Sequence, residues 1–248
     1  MPPLSLQKKD RNSVLKAGKT IEILSVSAKL FNKGILSMAR ENCSINLIYK
    51  LSVETSLGND TVFDIRYRLG EALSKKLIRS GASDIDMICP VPNTGKAYAK
   101  GLADAIGIRY AEVLKKIENI RTFHMEDLDL RKSLIERLIC TTDENLSGKN
   151  ICLVDEAIFT GTTVKILCEA LRAKKVGSIS VLIPTPPCVG GCGHHAISAE
   201  KMLLAGTDIE NARKLLGADR LIFQDKKTFD AIVAHTSMNC TECFREDL

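Results

Sequence analysis

The sequence has no uncharged apolar stretch near the roughly 20 residues that a helix needs to cross a bilayer. Its first residues, Met1-Pro2-Pro3-Leu4-Ser5-Leu6-Gln7-Lys8-Lys9, lack the apolar centre of a secretory signal. A soluble cytoplasmic protein with no membrane partner is the expectation. Without a secretion signal, the nine cysteines are not expected to form a disulfide framework. There is no basic arm either. The net charge is +5, but Lys and Arg are mixed with acids and no basic run exceeds two residues. That argues against a nucleic-acid partner. The mild excess of positive charge also suits a small polyanionic substrate. No internal repeat or low-complexity tract is present.

What is present suffices for one full core: 248 residues, 45% of them hydrophobic. Residues 1–12 read as a loose polar tail, and 13–40 as a short strand or two. Ile65, Leu69, Leu73 and Leu77 recur at helical spacing over Asp64 to Arg79. Then strand, turn and helix repeat. Asp86 to Val91 is a short apolar run, Pro92 to Gly95 a turn, and Lys96 to Ile106 a helix that Gly107 stops. Arg109 to Leu114 suggests another strand, 115–127 a mobile loop, and Leu128 to Ile139 a helix. Asn150 to Val154 and Ser178 to Ile183 read as buried strands, separated by a helix from Thr162 to Ala173. Such alternation predicts an α/β protein with a parallel sheet. After Pro184 the pattern changes to a loop, a short helix at Ile209 to Leu216 and a terminal Cys-x-x-Cys. The division expected is a tail over 1–40, a core over 41–183 and a small C-terminal subdomain over 184–248.

The most informative segment is Ile151-Cys152-Leu153-Val154-Asp155-Glu156-Ala157-Ile158-Phe159-Thr160-Gly161-Thr162-Thr163. A buried strand ends in two carboxylates, and a Thr- and Gly-rich loop then opens a helix. Ligands of open α/β sheets bind at the carboxyl ends of strands. A helix N-terminus presents unpaired N–H groups and a positive dipole end to a phosphate. Thr160, Thr162 and Thr163 add hydroxyls, and Gly161 lets the backbone approach. Two acids beside a phosphate are unfavourable unless they grip sugar hydroxyls or a magnesium ion that bridges to the phosphates. A plain strand–turn–helix junction, with Asp and Thr as helix caps, is the competing reading of the same residues.

This segment resembles the phosphoribosyl pyrophosphate (PRPP) motif of type I phosphoribosyltransferases. Within them it is similar to that of the amidophosphoribosyltransferases of purine synthesis, Val-Asp-Asp-Ser-Ile-Val-Arg-Gly-Thr-Thr. The resemblance runs from about residue 43 to 244. It implies a type I phosphoribosyltransferase-like sheet flanked by helices. It also implies that Asp155 and Glu156 hold ribose hydroxyls while Ala157, Ile158, Phe159, Thr160, Gly161, Thr162 and Thr163 surround the 5′-phosphate. Glu156, Ala157 and Thr160 depart from that pattern, where Asp, Ser and Arg are usual. Pro90 to Gly95 resembles the family's pyrophosphate loop, Pro-Val-Pro-Asp-Ser-Gly, which implies substrate binding by Asn93, Thr94 and Gly95. Asn93 replaces an acid there. Lys115 and Arg121-Thr122-Phe123 are similar to the family's flexible closing loop, with Lys115 and Arg121 as catalytic cations. Between them, Lys116 to Ile120 replaces the usual Asn-Arg-Tyr-Val-Gly.

Four cysteines, Cys89, Cys140, Cys152 and Cys168, sit in apolar runs and read as small buried hydrophobes. Cys43, Cys188, Cys192, Cys240 and Cys243 read better as metal or cluster ligands. One class of bacterial amidophosphoribosyltransferases carries a 4Fe-4S cluster on four separated cysteines: before an Ile-Tyr strand, after a Pro-Pro, and in a terminal Cys-x-x-Cys before Phe. Cys43, Cys192, Cys240 and Cys243 fill those positions, with Cys188 as a stand-in for Cys192. The resemblance thus implies a 4Fe-4S cluster, against zinc as the rival. It implies magnesium as well. Members of the family begin with a glutaminase domain bearing an N-terminal cysteine nucleophile. Here Pro2 follows Met1 and the first cysteine is Cys43. The expectation is a synthase half that uses ammonia, free or from a separate glutaminase, and that assembles as a homo-oligomer. Transfer to another nucleophile and PRPP sensing without catalysis are the alternatives.

Overall fold

The computed structural model describes residues 42–81, 83–116, 139–141, 145–190, 192 and 197–245. The readings of 1–40, of 117–138 and of Arg121 lie outside these residues.

After Cys43 the chain makes one π-helical turn over Asn46–Lys50. A two-residue hairpin follows, β1 (Ser56–Leu57) against β2 (Asp60–Thr61). It leads into α1 (Val62–Arg79). Thr61 starts this helix with a reciprocal cap. Its hydroxyl accepts from the Asp64 N–H at 3.2 Å, and its own N–H donates to the Asp64 carboxylate at 2.8 Å. Val62, Ile65, Leu69, Leu73 and Leu77 form the buried stripe. Burying each is worth about 1.5–3 kcal/mol.

The central sheet has four parallel strands in the order β3 (Met87–Pro90), β6 (Asn150–Val154), β7 (Ser178–Ile183), β8 (Arg220–Phe223). Helix α2 (Lys96–Ile106) follows β3, α3 (Thr162–Ala173) follows β6, α4 (Ile209–Leu216) precedes β8, and α5 (Lys226–Val233) follows it. Side chains alternate across each strand. Met87, Cys89, Ile151, Leu153, Ile179, Val181, Leu221 and Phe223 share one core with Val164, Leu167 and Leu171 of α3 and with Ala212 and Leu216 of α4. The other face carries α1 and α2, with α1 also touching β8 and α5. Helices α1 and α2 approach at two glycines. A Cβ on Gly70 would lie 1.9 Å from the Tyr98 carbonyl oxygen, and one on Gly101 would lie 2.1 Å from that of Tyr67.

Four expectations need correction. Arg109 to Leu114 is not a strand. Tyr110 makes a single bridge to Ile88, and the ladder ends once the Ile88 N–H has donated to Arg109 and its carbonyl has accepted from Ala111. The strand in this region is β4 (Leu114–Lys116), antiparallel to β5 (Ile139–Thr141), so Ile139 ends no helix. Ile45 to Tyr49 is helical rather than extended. The Leu47, Ile48 and Leu51 carbonyls turn toward side chains of α1 and α2 instead of a neighbouring strand. Beyond residue 184, the sequence reading placed no strand, yet Arg220–Phe223 pairs with β7 in the main sheet. No helix among the described residues is long and apolar enough to cross a membrane.

Candidate active site

The site lies at the carboxyl ends of β3 and β6. The two strands are adjacent and in register, Pro90 opposite Val154, so the turn after one and the acid pair after the other leave the sheet side by side. The Val91 N–H donates to the Val154 carbonyl at 2.8 Å, and the Gly95 N–H to Val91 at 3.0 Å. A Cβ on Gly95 would stand 2.4 Å from the Val154 oxygen, so a side chain there would force the turn off the strand. Asn93 is exposed and Thr94 half-exposed at the rim, and the Pro92–Asn93 peptide is cis.

Asp155 and Glu156 are 5% and 7% exposed. The Asp155 N–H donates to Leu182 at 3.3 Å, which carries the β6–β7 ladder one residue further. The Glu156 N–H donates to the Asp155 carboxylate at 3.0 Å, and the Glu156 carbonyl accepts from the Thr185 hydroxyl at 3.3 Å. Burial, with the charge of Glu156 beside it, pushes the Asp155 carboxyl well above the ordinary aspartate range. The Glu156 Oε2 is buried without a hydrogen-bond partner.

The loop then runs into α3. Ala157, Ile158 and Phe159 are buried, while Thr160, Thr162 and Thr163 are half-buried. The Thr160 and Thr162 hydroxyl oxygens lie 3.0 Å apart. Gly161 takes a left-handed conformation, φ +76°, at the start of the helix. The Leu203 N–H donates to the Phe159 carbonyl at 2.7 Å and ties the loop to the segment that crosses above it. The structure thus brings together two of the three groups of expected substrate residues: 93–95 and 155–163. Lys115 sits exposed on β4, opposite Cys140 in the antiparallel ribbon.

Four polar side chains that sequence reasoning passed over are buried near the carboxyl ends of these strands or beneath them: Arg66, Tyr98, Thr185 and Gln224. Only a buried polar residue at a strand end could have drawn attention to Thr185 and Gln224. Arg66 and Tyr98 read from sequence as ordinary helix residues.

The cysteines expected to act together come from three segments joined by backbone pairing. Cys43 bridges Cys240 in parallel, and the Ser44 N–H donates to the Cys240 carbonyl at 3.1 Å. The Val189 N–H donates to Cys243 at 2.9 Å, and Cys188 bridges Phe244. Burial raises the Cys43 thiol pKa. The Ile45 backbone opposes this, and Cys243, Cys240 and Cys192 raise it further. Cys188 points elsewhere: it is 1% exposed with its thiol 4.0 Å from the Met202 sulfur. Among the described residues, no three Cys, His, Asp or Glu side chains stand close enough to hold a single metal ion.

The sequence model of the phosphoribosyl transferase domain matches residues 59–184, which span both site loops. This chain belongs to that family. Amidophosphoribosyltransferases are among the curated proteins it resembles. This phosphoribosyltransferase-family chain is 30% identical over 189 residues to the one from Pseudomonas aeruginosa, covering 74% of itself and 37% of that enzyme. It is 26% identical over 234 residues to the one from Synechocystis sp., covering 93% of itself and 46% of that enzyme. It therefore spans less than half the length of either relative. The solved Bacillus subtilis glutamine phosphoribosylpyrophosphate amidotransferase, complexed with ADP and GMP, superposes with a TM-score of 0.68 at 24% identity. The match covers 82% of this chain and 45% of that one, and it is a likeness of fold.

Proposed function

We propose that this chain binds PRPP across the ends of β3 and β6 and transfers its phosphoribosyl group to ammonia, giving phosphoribosylamine and pyrophosphate. The observation that carries the reading is the register of Pro90 with Val154, which sets the 91–95 turn beside a buried acid pair and a helix-opening loop. Asp155 and Glu156 accept from the ribose hydroxyls. Residues 157–163 surround the 5′-phosphate at the start of α3, where first-turn N–H groups lack helical partners. Asn93, Thr94 and Gly95 face the pyrophosphate, which arrives with magnesium, and Lys115 and Arg121 close over it. The C1–oxygen bond to pyrophosphate breaks, the C1–nitrogen bond forms, and the added nitrogen releases a proton to solvent. Positive charge grows on the sugar and negative charge on pyrophosphate, so placed charges matter more than a covalent protein nucleophile. Ammonia arrives free or from a separate glutaminase.

The test mixes the protein with PRPP, magnesium and either ammonium, glutamine or a panel of amines, and measures pyrophosphate. Release stimulated by ammonium and slow with glutamine alone supports the reading. Transfer to another amine is the second reading, favoured by Glu118, Asn119 and Ile120 in place of the usual Tyr-Val-Gly. Tight PRPP binding with no turnover would instead indicate a PRPP sensor.

We further propose that Cys43, Cys192, Cys240 and Cys243 hold a 4Fe-4S cluster. The pairing of the Cys43 and Cys240 segments, and of residue 189 with Cys243, supports it. A cubane carries its thiolates at separate corners, whereas zinc gathers them about 2.3 Å from one atom. The role proposed is a structural tie. Assembly as a homo-oligomer is part of the same proposal.

A further inference from the structure

Glu156, Thr185 and Gln224 follow the carboxyl ends of three neighbouring strands, β6, β7 and β8. All three are buried, at 7%, 0% and 2% exposure. Hydrogen bonds join them in turn. The Thr185 hydroxyl donates to the Glu156 carbonyl at 3.3 Å. The Gln224 N–H is shared between the Ile183 carbonyl at 2.9 Å and the Thr185 carbonyl at 3.2 Å. The Gln224 side chain is oriented as well. Its Oε1 accepts from the Asp225 N–H at 3.0 Å, which leaves the Nε2 amide group as a free donor. Two atoms in this group of residues remain unmet: Gln224 Nε2, a donor, and Glu156 Oε2, an acceptor, are both buried without a hydrogen-bond partner. Gln224 continues the β8 ladder past Phe223, which faces the core under α3 and α4, so its side chain leaves on the side of α1 and α2. Val154 lies on that side too, and Glu156 stands two residues beyond it. Lines two strands apart are about 9.5 Å apart, a gap that a glutamate and a glutamine reaching from either side close across Thr185.

We infer that Thr185 and Gln224 are positioning residues for Glu156. Thr185 fixes its backbone, and the Gln224 amide donates to its inner carboxylate oxygen, which leaves the other oxygen for a hydroxyl of the sugar. This rests on the sugar-site reading above. A buried donor and a buried acceptor left unmet together cost more than the partial side-chain rotation that joins them. An amide is suited to the task because it is neutral. It holds the carboxylate without cancelling the charge that lets Glu156 accept from a hydroxyl. The extra methylene of Glu156, where the family's motif has Asp, adds a rotor that has to be stilled. The support acts on one part of the ligand only. The 5′-phosphate loop is held separately, by the Leu203 N–H on the Phe159 carbonyl at 2.7 Å. A loosened Glu156 therefore costs affinity for the sugar and leaves the phosphate contacts untouched.

The test uses ribose 5-phosphate and inorganic phosphate as probes, with calorimetric affinities for the parent protein, Thr185→Val, Thr185→Ser and Gln224→Glu. Thr185→Val keeps the shape and removes the hydroxyl, and Thr185→Ser restores it. Gln224→Glu keeps an acceptor for the Asp225 N–H and exchanges only the donor, so it also guards against a Thr185 variant that does not fold. The expected result is a parent that prefers ribose 5-phosphate to phosphate. That preference should fall by roughly tenfold, about the net worth of one hydrogen bond, in Thr185→Val and in Gln224→Glu. Affinity for phosphate should stay unchanged, and Thr185→Ser should recover most of the preference. Equal weakening of both probes would mean a merely structural role and overturn the inference, as would an unchanged preference in both variants. A loss in Thr185→Val alone would overturn the part given to Gln224. A parent that binds ribose 5-phosphate no more tightly than phosphate would overturn the sugar-site reading itself, and the support with it.

Discussion

Asp155 is 5% exposed, shares its surroundings with Glu156, and keeps a carboxyl whose charged form is disfavoured by both burial and that neighbour. Its folded-state pKa stands above the unfolded value, so the folded chain holds the proton over a pH range where the unfolded chain has lost it. Stability then falls as pH rises from about 4 through the folded pKa. Asp155→Asn should therefore melt higher than the parent near neutral pH, with the gain gone below about pH 4. The same variant should lose roughly 100-fold or more of PRPP-dependent pyrophosphate release, as other charge-placing groups do. Thermal melts at two pH values check the first, and a parent that melts higher near neutrality would contradict it. Thr162→Val removes the hydroxyl 3.0 Å from that of Thr160 at the mouth of α3. PRPP affinity should drop by roughly tenfold, measured calorimetrically, with an unchanged melting temperature. Asp155 and the Gly161-Thr162-Thr163 run were readable because a strand end, a left-handed glycine and a helix start occupy consecutive positions. Arg66 and Tyr98 were not, because what matters about them is that their hydrogen bonds run to the turn 46–51, far away in the chain.

Helices α1 and α2 meet where Gly70 faces the Tyr98 carbonyl and Gly101 faces that of Tyr67. The contact is backbone on side-chain-free backbone, so no flexible atom can yield. Gly70→Ala should destabilise the protein by roughly 1–3 kcal/mol or more. Gly206→Ala, which has nothing within 4 Å of its Cβ position, should change stability little. Denaturant titration of both variants decides the matter: equal midpoints would mean the two helices slide apart at no cost. At this scale the sequence reading was reliable where the pattern was local. The bounds of α2, β6, α3, β7 and α4 come from apolar period, glycine stops and turn residues that sit next to one another. It failed where partners decide. Arg109 to Leu114 has strand-like residues but only one bridge to accept it, and Ile45 to Tyr49 curls because side chains of α1 and α2 take its carbonyls.

Across the whole molecule, Cys43 near the start of the described chain is paired with Cys240 near its end, and Lys226 of α5 reaches the Thr241 hydroxyl at 2.8 Å beside the terminal Cys-x-x-Cys. A cluster bridging these segments would tie the closing segment to the beginning. Anaerobic purification should yield a brown protein with about four irons per chain. Cys243→Ser should lose the colour, bind less iron and melt at a lower temperature. Zinc in place of iron in anaerobically purified protein would refute the assignment. The sequence by itself determined the alternation of strands and helices, the position of the phosphate loop, the acid pair and the family, because each is written in contiguous residues whose local chemistry admits few alternatives. Only the tertiary structure decided that Arg220–Phe223 completes the sheet, that Cys188 turns to Met202 while Cys43 pairs with Cys240, and that a buried arginine and tyrosine hold the turn 46–51. Those outcomes depend on which distant surfaces meet when the chain closes, and no spacing along the sequence records that.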